Sequence, residues 1–422
     1  MTPPARRVIR LCSVFEPPPE SLAGRGIRFD PIGGMQNHTA ALTRALDVLG
    51  VAQDVVTTRP PGAPARQRVG SHATVHRLGL PVRSFRQLYS LPAAALVDRL
   101  APAACLLHAH LGEDLAIVPI ALAAARRHRL PWVLTIHASS AHTLVGGGAR
   151  GALLRHAGGR LERAGAARAD AVIALTPRLA RLMSDNGHDA ERIHVIPSGV
   201  VPGDGRLPLP AGAERDGRPR VLFVGRLAEQ KGVRYLIEAV ARMETRDVDV
   251  RVVGDGPERV MLQGLVDRLG VGDRVSFAGF QPHDAVPALM GTADILVLPS
   301  VYEELGSVLV EAMHAGLPIV ASDTGGISDG VGDAAVLVPP RDPAALAAAL
   351  DALLVDPARR QQLSALARQR STGFHWDRLA ERVLGVYEVA LSGSPATGAR
   401  ARLTVSPPRA AATPARRRGR RR

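Results

Sequence analysis

The stretch ILVLPSVYEELGSVLVEAMHAGLPIVASDTGG, residues 295–326, decides the fold of this chain. Its pattern predicts a buried strand over residues 295–300, a loop that carries two glutamates, a helix from about 306 to 315, and a second strand over 318–322. An apolar run of that length between turn residues is typical of a strand in a parallel sheet. The stretch therefore predicts an α/β domain.

Charged and small residues of this stretch lie at the predicted carboxyl end of its first strand, where parallel sheets bind their ligands. Glu303 follows the first strand, and ligands of such sheets lie at the carboxyl ends of the strands. The backbone N–H groups of Gly306 and Ser307 open the predicted helix and can bind a phosphate. Glu311, on that helix, faces the same crevice. This arrangement suits a nucleotide sugar, whereas solvated helix glutamates are the alternative.

A family resemblance supports the first interpretation. The run GSVLVEAMHAGLPIVASDTGG, residues 306–326, closely resembles the signature of the retaining family-4 glycosyltransferases. The resemblance implies the GT-B fold, an α/β architecture of two Rossmann-like doubly wound domains with a cleft between them. It extends over nearly the whole chain up to about residue 391 and is far more specific in the second half.

Alternating strand and helix patterns on both sides of a Gly-, Pro- and Arg-rich segment also favour two domains. We expect an N-terminal acceptor-binding domain over residues 1–202 and a linker over 203–219. A C-terminal domain over 220–375 is expected to bind the nucleotide sugar. By resemblance, the helix over 376–391 crosses back to the first domain, and residues 392–422 are expected to form a disordered tail.

The net charge of +14 comes largely from that tail. Residues 391–422 contain nine arginines and no acidic residue, which leaves +5 for the rest of the chain. Aromatic residues are only 3% of the chain and none lies among the tail arginines, so the composition argues against a nucleic-acid-binding module. The two cysteines lie in apolar, strand-like surroundings and predict buried thiols. We expect a cytoplasmic protein that meets membranes at most peripherally; its oligomeric state stays open.

Two basic residues follow a predicted strand in FVGRLAEQKG, residues 223–232. Arg226 and Lys231 could together neutralise a leaving diphosphate, although a pair of surface charges is the alternative. The spacing matches the family's G-R-x-x-x-x-K-G pattern. Lys231 is also the only lysine among 53 basic residues, which suggests a need for a compact ammonium group.

Further donor-site residues are predicted in both halves of the chain. Gly33 and Gly34 precede a helix over 36–49, where glycines let the backbone approach a phosphate; an ordinary turn is the alternative. They resemble the family's glycine loop, which faces the donor diphosphate. His137, in WVLTIHA, resembles the family's Thr-x-His segment, which implies donation to hydroxyls of the transferred sugar. Phe280 lies where family members hold the base through backbone contacts.

Metal and cofactor sites are not indicated. His108 and His110 alternate on one predicted strand, but a metal site is weakly supported without cysteine or an obvious third ligand. The resemblance implies catalysis without a metal or other cofactor. No side chain in the sequence is a convincing nucleophile. In agreement with this, the resemblance implies a front-side route in which the leaving phosphate takes the acceptor proton.

The acceptor is predicted from the first domain. FDPIGGMQNHTAALTRAL and HAHLGEDLAIVPIALAAARRHRLPWVLTIHASSAHTL resemble antibiotic-pathway transferases, and the nearest subgroup glycosylates 2-deoxystreptamine from a UDP-sugar. We therefore expect transfer of N-acetylglucosamine from UDP-N-acetylglucosamine to such an aminocyclitol. Glu113 and Asp114 could bind this dicationic acceptor, although a helix N-terminus also favours acidic residues.

Three other functions remain open at the level of sequence. A lipid-linked acceptor would ask for an exposed amphipathic basic helix, for which residues 83–91 are a partial candidate. A polysaccharide acceptor is the second. A non-catalytic sugar-nucleotide-binding protein is the third, and the presence of both glutamates together with Arg226 and Lys231 disfavours it.

Overall fold

A computed structural model describes residues 7–17, 34–80, 89–112, 114–137, 149–201 and 217–393, with backbone only for 149–155. Several predictions therefore concern residues outside the described ranges. These are the predictions for Gly33, for Glu113, for most of the linker, for most of segment 83–91 and for nearly all of the tail.

An eight-stranded sheet organises the first part of the chain. Its strands are β1 (Arg7–Cys12), β2 (Gln53–Thr58), β3 (Arg66–Val69), β4 (Ala73–Leu78), β5 (Ala104–Leu111), β6 (Trp132–Ile136), β7 (Ala171–Ala174) and β8 (Ile193–Val195). Their order is β3-β4-β2-β1-β5-β6-β7-β8. β3 pairs antiparallel with β4, and the other neighbours pair in parallel.

Helices cover this sheet. They are α1 (Gly34–Val48), α2 (Ser90–Leu100), α3 (Ile117–His128), α4 (Ala149–Ala166) and α5 (Pro177–Asp185). The central strands are buried, as expected for a sheet that is covered on both faces, and most of their residues are apolar. Thr176 accepts a hydrogen bond from the backbone N–H of Leu179, and Pro177 follows it, so α5 begins with a side-chain cap.

A six-stranded parallel sheet organises the second part. Its strands are β9 (Arg220–Val224), β10 (Asp249–Val253), β11 (Val275–Gly279), β12 (Ile295–Leu298), β13 (Ile319–Ser322) and β14 (Ala335–Val338), in the order β11-β10-β9-β12-β13-β14. Its helices are α6 (Val233–Arg242), α7 (Arg259–Leu269), α8 (Val286–Met290), α9 (Ser307–Ala315), α10 (Ile327–Val331), α11 (Pro343–Val355) and α12 (Pro357–Ser371). The prediction of two doubly wound, Rossmann-like domains is confirmed.

The last described helix, α13 (Trp376–Ser392), packs on the first domain. Trp376, Leu379 and Tyr387 share an apolar cluster with Leu42 and Leu46 of α1. This cluster anchors the helix that follows the second domain to the first domain. No helix among the described residues is long and apolar enough to cross a bilayer.

Some elements of the structure were not predicted from the sequence. β3 and β4 form a hairpin at the sheet edge, and β3, of sequence RQRV, has no buried residue. Its polar sequence lacks the apolar pattern by which strands are recognised. α12 was also missed because it is rich in Arg and Gln, although Asp356 caps it and Pro357 begins it.

A buried ion pair in the second domain yields a stability prediction. Arg220 Nε lies 2.6 Å from Asp249 Oδ2, and both residues are buried. Substitution Asp249→Ala removes a carboxylate from contact with the buried guanidinium, so we expect a loss of about 3 kcal/mol in the free energy of unfolding. Chemical denaturation measures it. Glu238→Ala removes the partner of the exposed Arg234 and should cost no more than about 0.5 kcal/mol. Equal losses in the two variants would contradict the prediction.

Candidate functional site

Lys231 and Glu303 lie in contact at the edge of the second sheet. Lys231 ends a short helical turn after β9, and Glu303 lies in the loop after β12. β9 and β12 are hydrogen-bonded neighbours, so their carboxyl ends meet. The Lys231 ammonium donates to Glu303 Oε2. Arg226, two residues after β9, is exposed at the same edge.

A glycine makes that contact possible. Gly232 has a φ of +65°, and a Cβ on it would lie 2.0 Å from the carbonyl oxygen of Pro299. The loops after β9 and β12 therefore touch through their backbones, and only glycine fits between them. This explains why a glycine directly follows Lys231.

The first residues of two helices meet across the domains. Ser307 begins α9 after Gly306, and Gly34 begins α1. A Cβ on Gly34 would lie 2.9 Å from Ser307 Oγ. Helix N-termini carry a partial positive charge and unsatisfied N–H groups, so the junction suits an anion such as a diphosphate. The structure thus brings Gly34 and Ser307 together, as the predicted donor site requires.

Glu311 on α9 has a partner that sequence analysis missed. Its Oε1 lies 3.1 Å from His283 Nε2. Burial lowers the pKa of His283, but the hydrogen bond and charge of Glu311, together with Glu16 and Asp284, raise that pKa above its usual value overall. Glu16 belongs to the first domain, so a charge on the other domain also raises the pKa of His283. Phe280, three residues earlier, is half-buried.

Glu304, beside Glu303, links the domains. It is 4% exposed, and its Oε1 accepts from Thr176 Oγ1 at 2.5 Å. Its Oε2 accepts from the Tyr302 hydroxyl at 2.9 Å. Asp329 Oδ2 adds a contact with the backbone N–H of Arg178 at 2.7 Å. Sequence analysis assigned Glu304 no role because its partner Thr176 lies in the other half of the chain.

Four buried histidines cluster under the first-domain side of the cleft: His38, His108, His110 and His137. His137 Nε2 lies 3.1 Å from His110 Nδ1, and the His38 ring lies 4.5 Å from the His137 ring. Burial, followed by the charge of Arg10, lowers the pKa of His137 to about 3. At neutral pH His137 is therefore uncharged and can act as a hydrogen-bond donor to a neutral hydroxyl.

The cluster also supplies the third imidazole that sequence analysis did not find. His38, His110 and His137 offer nitrogen atoms within 4.8 Å of one another. However, Arg10 Nη2 lies 2.9 Å from His110 Nε2, so a dication would meet a buried guanidinium. A neutral hydrogen-bonded cluster is the better description.

Asp114, a candidate acceptor residue, has a local structural role. Its Oδ1 accepts from the backbone N–H of Ala116 at 2.9 Å, in the turn before α3. The pKa of Tyr89 is raised by burial and by the nearby Asp114 charge. Asp114 still lies beyond the carboxyl end of β5, on the cleft side of the sheet, so the prediction that it binds the acceptor stays open.

Two Rossmann-like domains that meet at a pair of helix N-termini have the architecture of the GT-B glycosyltransferases. Residues 210–370 match the family described as "Glycosyl transferases group 1", and residues 33–199 match a "Glycosyl transferase 4-like domain". The chain belongs to this family of glycosyltransferases.

Similar proteins include two from Streptomyces species. The chain is 34% identical over 363 residues to 2-deoxystreptamine glucosyltransferase of Streptomyces kanamyceticus, covering 77% of this chain and 90% of that one. It is 33% identical over 425 residues to 2-deoxystreptamine N-acetyl-D-glucosaminyltransferase of Streptomyces fradiae, covering 93% and 99%. Sucrose-phosphate synthase from Thermosynechococcus elongatus superposes with a TM-score of 0.77 at 26% identity, covering 92% and 100%.

The backbone beside Glu303 yields a prediction for activity. A Cβ on Gly325, whose φ is +59°, would lie 1.8 Å from the Glu303 carbonyl oxygen. Gly325→Ala must therefore displace Glu303, and we expect sugar transfer to fall at least about tenfold. Gly270 has a similar φ of +63° but open space around its Cβ position, so Gly270→Ala carries only the backbone strain of about 1 kcal/mol. Turnover assays and thermal denaturation of both variants measure the difference; equal activities would contradict the prediction.

The His283–Glu311 pair yields a prediction for pH. A raised folded-state pKa stabilises the protein below the unfolded value of 6.5, and this stabilisation is lost as pH rises through the folded value. The stability difference between wild type and His283→Gln should therefore be larger at about pH 5.5 than at about pH 8.5. Burial lowers the pKa of His188, so His188→Gln should show the opposite trend. Denaturant titrations measure both; the same slope in the two variants would contradict the assignment.

Proposed function

We propose that this protein is a retaining glycosyltransferase that moves N-acetylglucosamine from UDP-N-acetylglucosamine onto an aminocyclitol such as 2-deoxystreptamine. The observation that carries the proposal is the Lys231–Glu303 pair beside the junction of Gly34 and Ser307. A cation, a carboxylate and two helix N-termini together suit a sugar diphosphate. Both Streptomyces relatives are named for action on 2-deoxystreptamine.

In this proposal the second domain holds the donor. Arg226, Lys231 and the α9 N-terminus stabilise the diphosphate as its charge develops. Glu303 accepts hydrogen bonds from sugar hydroxyls, and Glu311 accepts them from the ribose. The base lies against the backbone near Phe280. Gly34, and Gly33 before it, bring the backbone of the first domain close to the diphosphate.

The proposed chemical step requires no residue to act as nucleophile. The bond between the anomeric carbon and the diphosphate oxygen breaks while the acceptor oxygen bonds on the same face. The acceptor proton passes to the leaving phosphate oxygen. Lys231 stabilises that oxygen, and His137 donates to a hydroxyl of the transferred sugar. The route uses no metal or other cofactor.

The proposed acceptor is a small dication that binds the first domain. Asp114, beyond β5, and Glu113 beside it would supply negative charge there. In this proposal the enzyme is cytoplasmic and its partners are small molecules. It binds neither nucleic acid nor a membrane. A lipid-linked or polysaccharide acceptor is the alternative within the same reaction class.

The test combines product analysis with one substitution. Purified protein incubated with UDP-N-acetylglucosamine and 2-deoxystreptamine should release UDP and form a product heavier by one N-acetylhexosamine, with retained anomeric configuration by NMR. Glu303→Gln should lower turnover by at least about 100-fold, because a charged partner of the reacting sugar is lost. Glu229→Gln changes an exposed glutamate in the same turn as Lys231 and should leave turnover nearly unchanged.

Other outcomes would change the proposal. An inverted product would overturn retention. Transfer from UDP-glucose alone would change the donor sugar, while hydrolysis without transfer would remove the aminocyclitol as acceptor. Tight nucleotide-sugar binding without any turnover would favour a non-catalytic binding protein.

A further inference from the structure

A chain of three side chains runs from the interior of the first domain to its cleft. Arg10 Nη2 lies 2.9 Å from His110 Nε2, and His110 Nδ1 lies 3.1 Å from His137 Nε2. Arg10 and His110 are 0% exposed, and His137 is 9% exposed. The chain therefore ends at the histidine that our proposed function places against the transferred sugar.

The direction of these hydrogen bonds follows from the chemistry of guanidinium, which has no acceptor atom. Arg10 must donate, so His110 Nε2 must accept and carry no hydrogen. A neutral His110 then has its hydrogen on Nδ1 and donates it to His137 Nε2. His137 Nε2 is thereby an acceptor, and the single N–H of a neutral His137 is on Nδ1.

Both imidazoles are neutral in this environment. Burial lowers the pKa of His110 well below its usual value, and the neighbouring His108, Arg10, His137 and His38 lower it further. Burial and Arg10 do the same for His137. Neither ring takes up a second hydrogen at neutral pH, so the alternation of donors and acceptors is maintained.

Arg10, the first residue of this hydrogen-bonded series, is held in place. Arg10 Nη1 donates to Thr43 Oγ1 at 2.5 Å and to Gln53 Oε1 at 3.3 Å. These partners lie on α1 and β2, so the guanidinium is held by two elements besides its own strand. In this position one of the two Nη2–H bonds is directed at His110 Nε2.

We propose that Arg10 and His110 are positioning residues that select the Nδ1–H tautomer of His137 and so present an N–H donor, rather than an acceptor, to the hydroxyl of the bound sugar. Only the identity of the ligand, a sugar hydroxyl, rests on the proposed function. The tautomer itself is a property of the free protein. Since a neutral imidazole offers one donor and one acceptor, the wrong tautomer would present a lone pair to the sugar.

The first experiment reads the tautomer directly. Full-length protein labelled with 15N-histidine is studied by long-range 1H–15N NMR correlation, and His137→Gln identifies the His137 signals. In the wild type, Nδ1 of His137 should carry the hydrogen. His110→Phe removes the donor to Nε2, so the Nε2–H form should become populated. His110→Gln can accept from Arg10 and donate to His137, so it should restore the wild-type pattern.

The second experiment measures the consequence. With the donor sugar nucleotide, kcat/KM of His110→Phe should fall about tenfold, the effect of one lost hydrogen bond, and His110→Gln should recover most of it. Thr135→Val is the matched control, because Thr135 is buried on β6 and bonds His108 Nε2 at 2.7 Å, outside the Arg10–His110–His137 chain. It should lower the melting temperature without changing the His137 tautomer.

Some outcomes would overturn the proposal. The proposal fails if Nε2 of His137 carries the hydrogen in the wild type. It also fails if His110→Phe and Thr135→Val change the His137 tautomer and kcat/KM to the same extent. An Nδ1–H tautomer that responds to His110 in a protein without transfer activity would retain the tautomer selection and overturn the proposed function instead.

Discussion

Parallel pairing of β9 with β12 is the constraint on which the site depends. Neighbouring parallel strands end at the same edge of a sheet, so the loops that follow them must share that edge. Lys231 and Glu303, far apart along the chain, come into contact for this reason. Gly232 permits the close backbone approach. Without that pairing the cation and the carboxylate would be unrelated surface charges.

Glu303 and Glu304 are adjacent in sequence but make different contacts. Glu303 lies on the cleft side with Lys231, whereas Glu304 is buried and bonded to Thr176 of the first domain. A buried carboxylate that loses its partners is costly, so this contact favours one arrangement of the domains. The same loop therefore carries a site residue and a contact that joins the domains. The meeting of Gly34 with Ser307 is a second such contact.

The first domain contributes a cluster of neutral imidazoles. Its buried histidines surround His137, and burial together with the charge of Arg10 keeps the rings of His110 and His137 uncharged. An uncharged donor can approach a sugar hydroxyl without the cost of desolvating an ion. The second domain carries the cationic groups of the candidate site, Arg226, Lys231 and the N-terminus of α9.

By itself the sequence determined the fold class, the doubly wound sheets, the segments that carry Lys231 and Glu303, and the helix that Ser307 begins. Apolar periodicity and turn residues are local signals, and strand ends follow from them. Only the tertiary structure decided the partners: His283 for Glu311, and the histidine cluster around His137. These contacts join residues from different elements, and their hydrogen-bond directions depend on burial and on neighbouring charges. No local pattern carries that information.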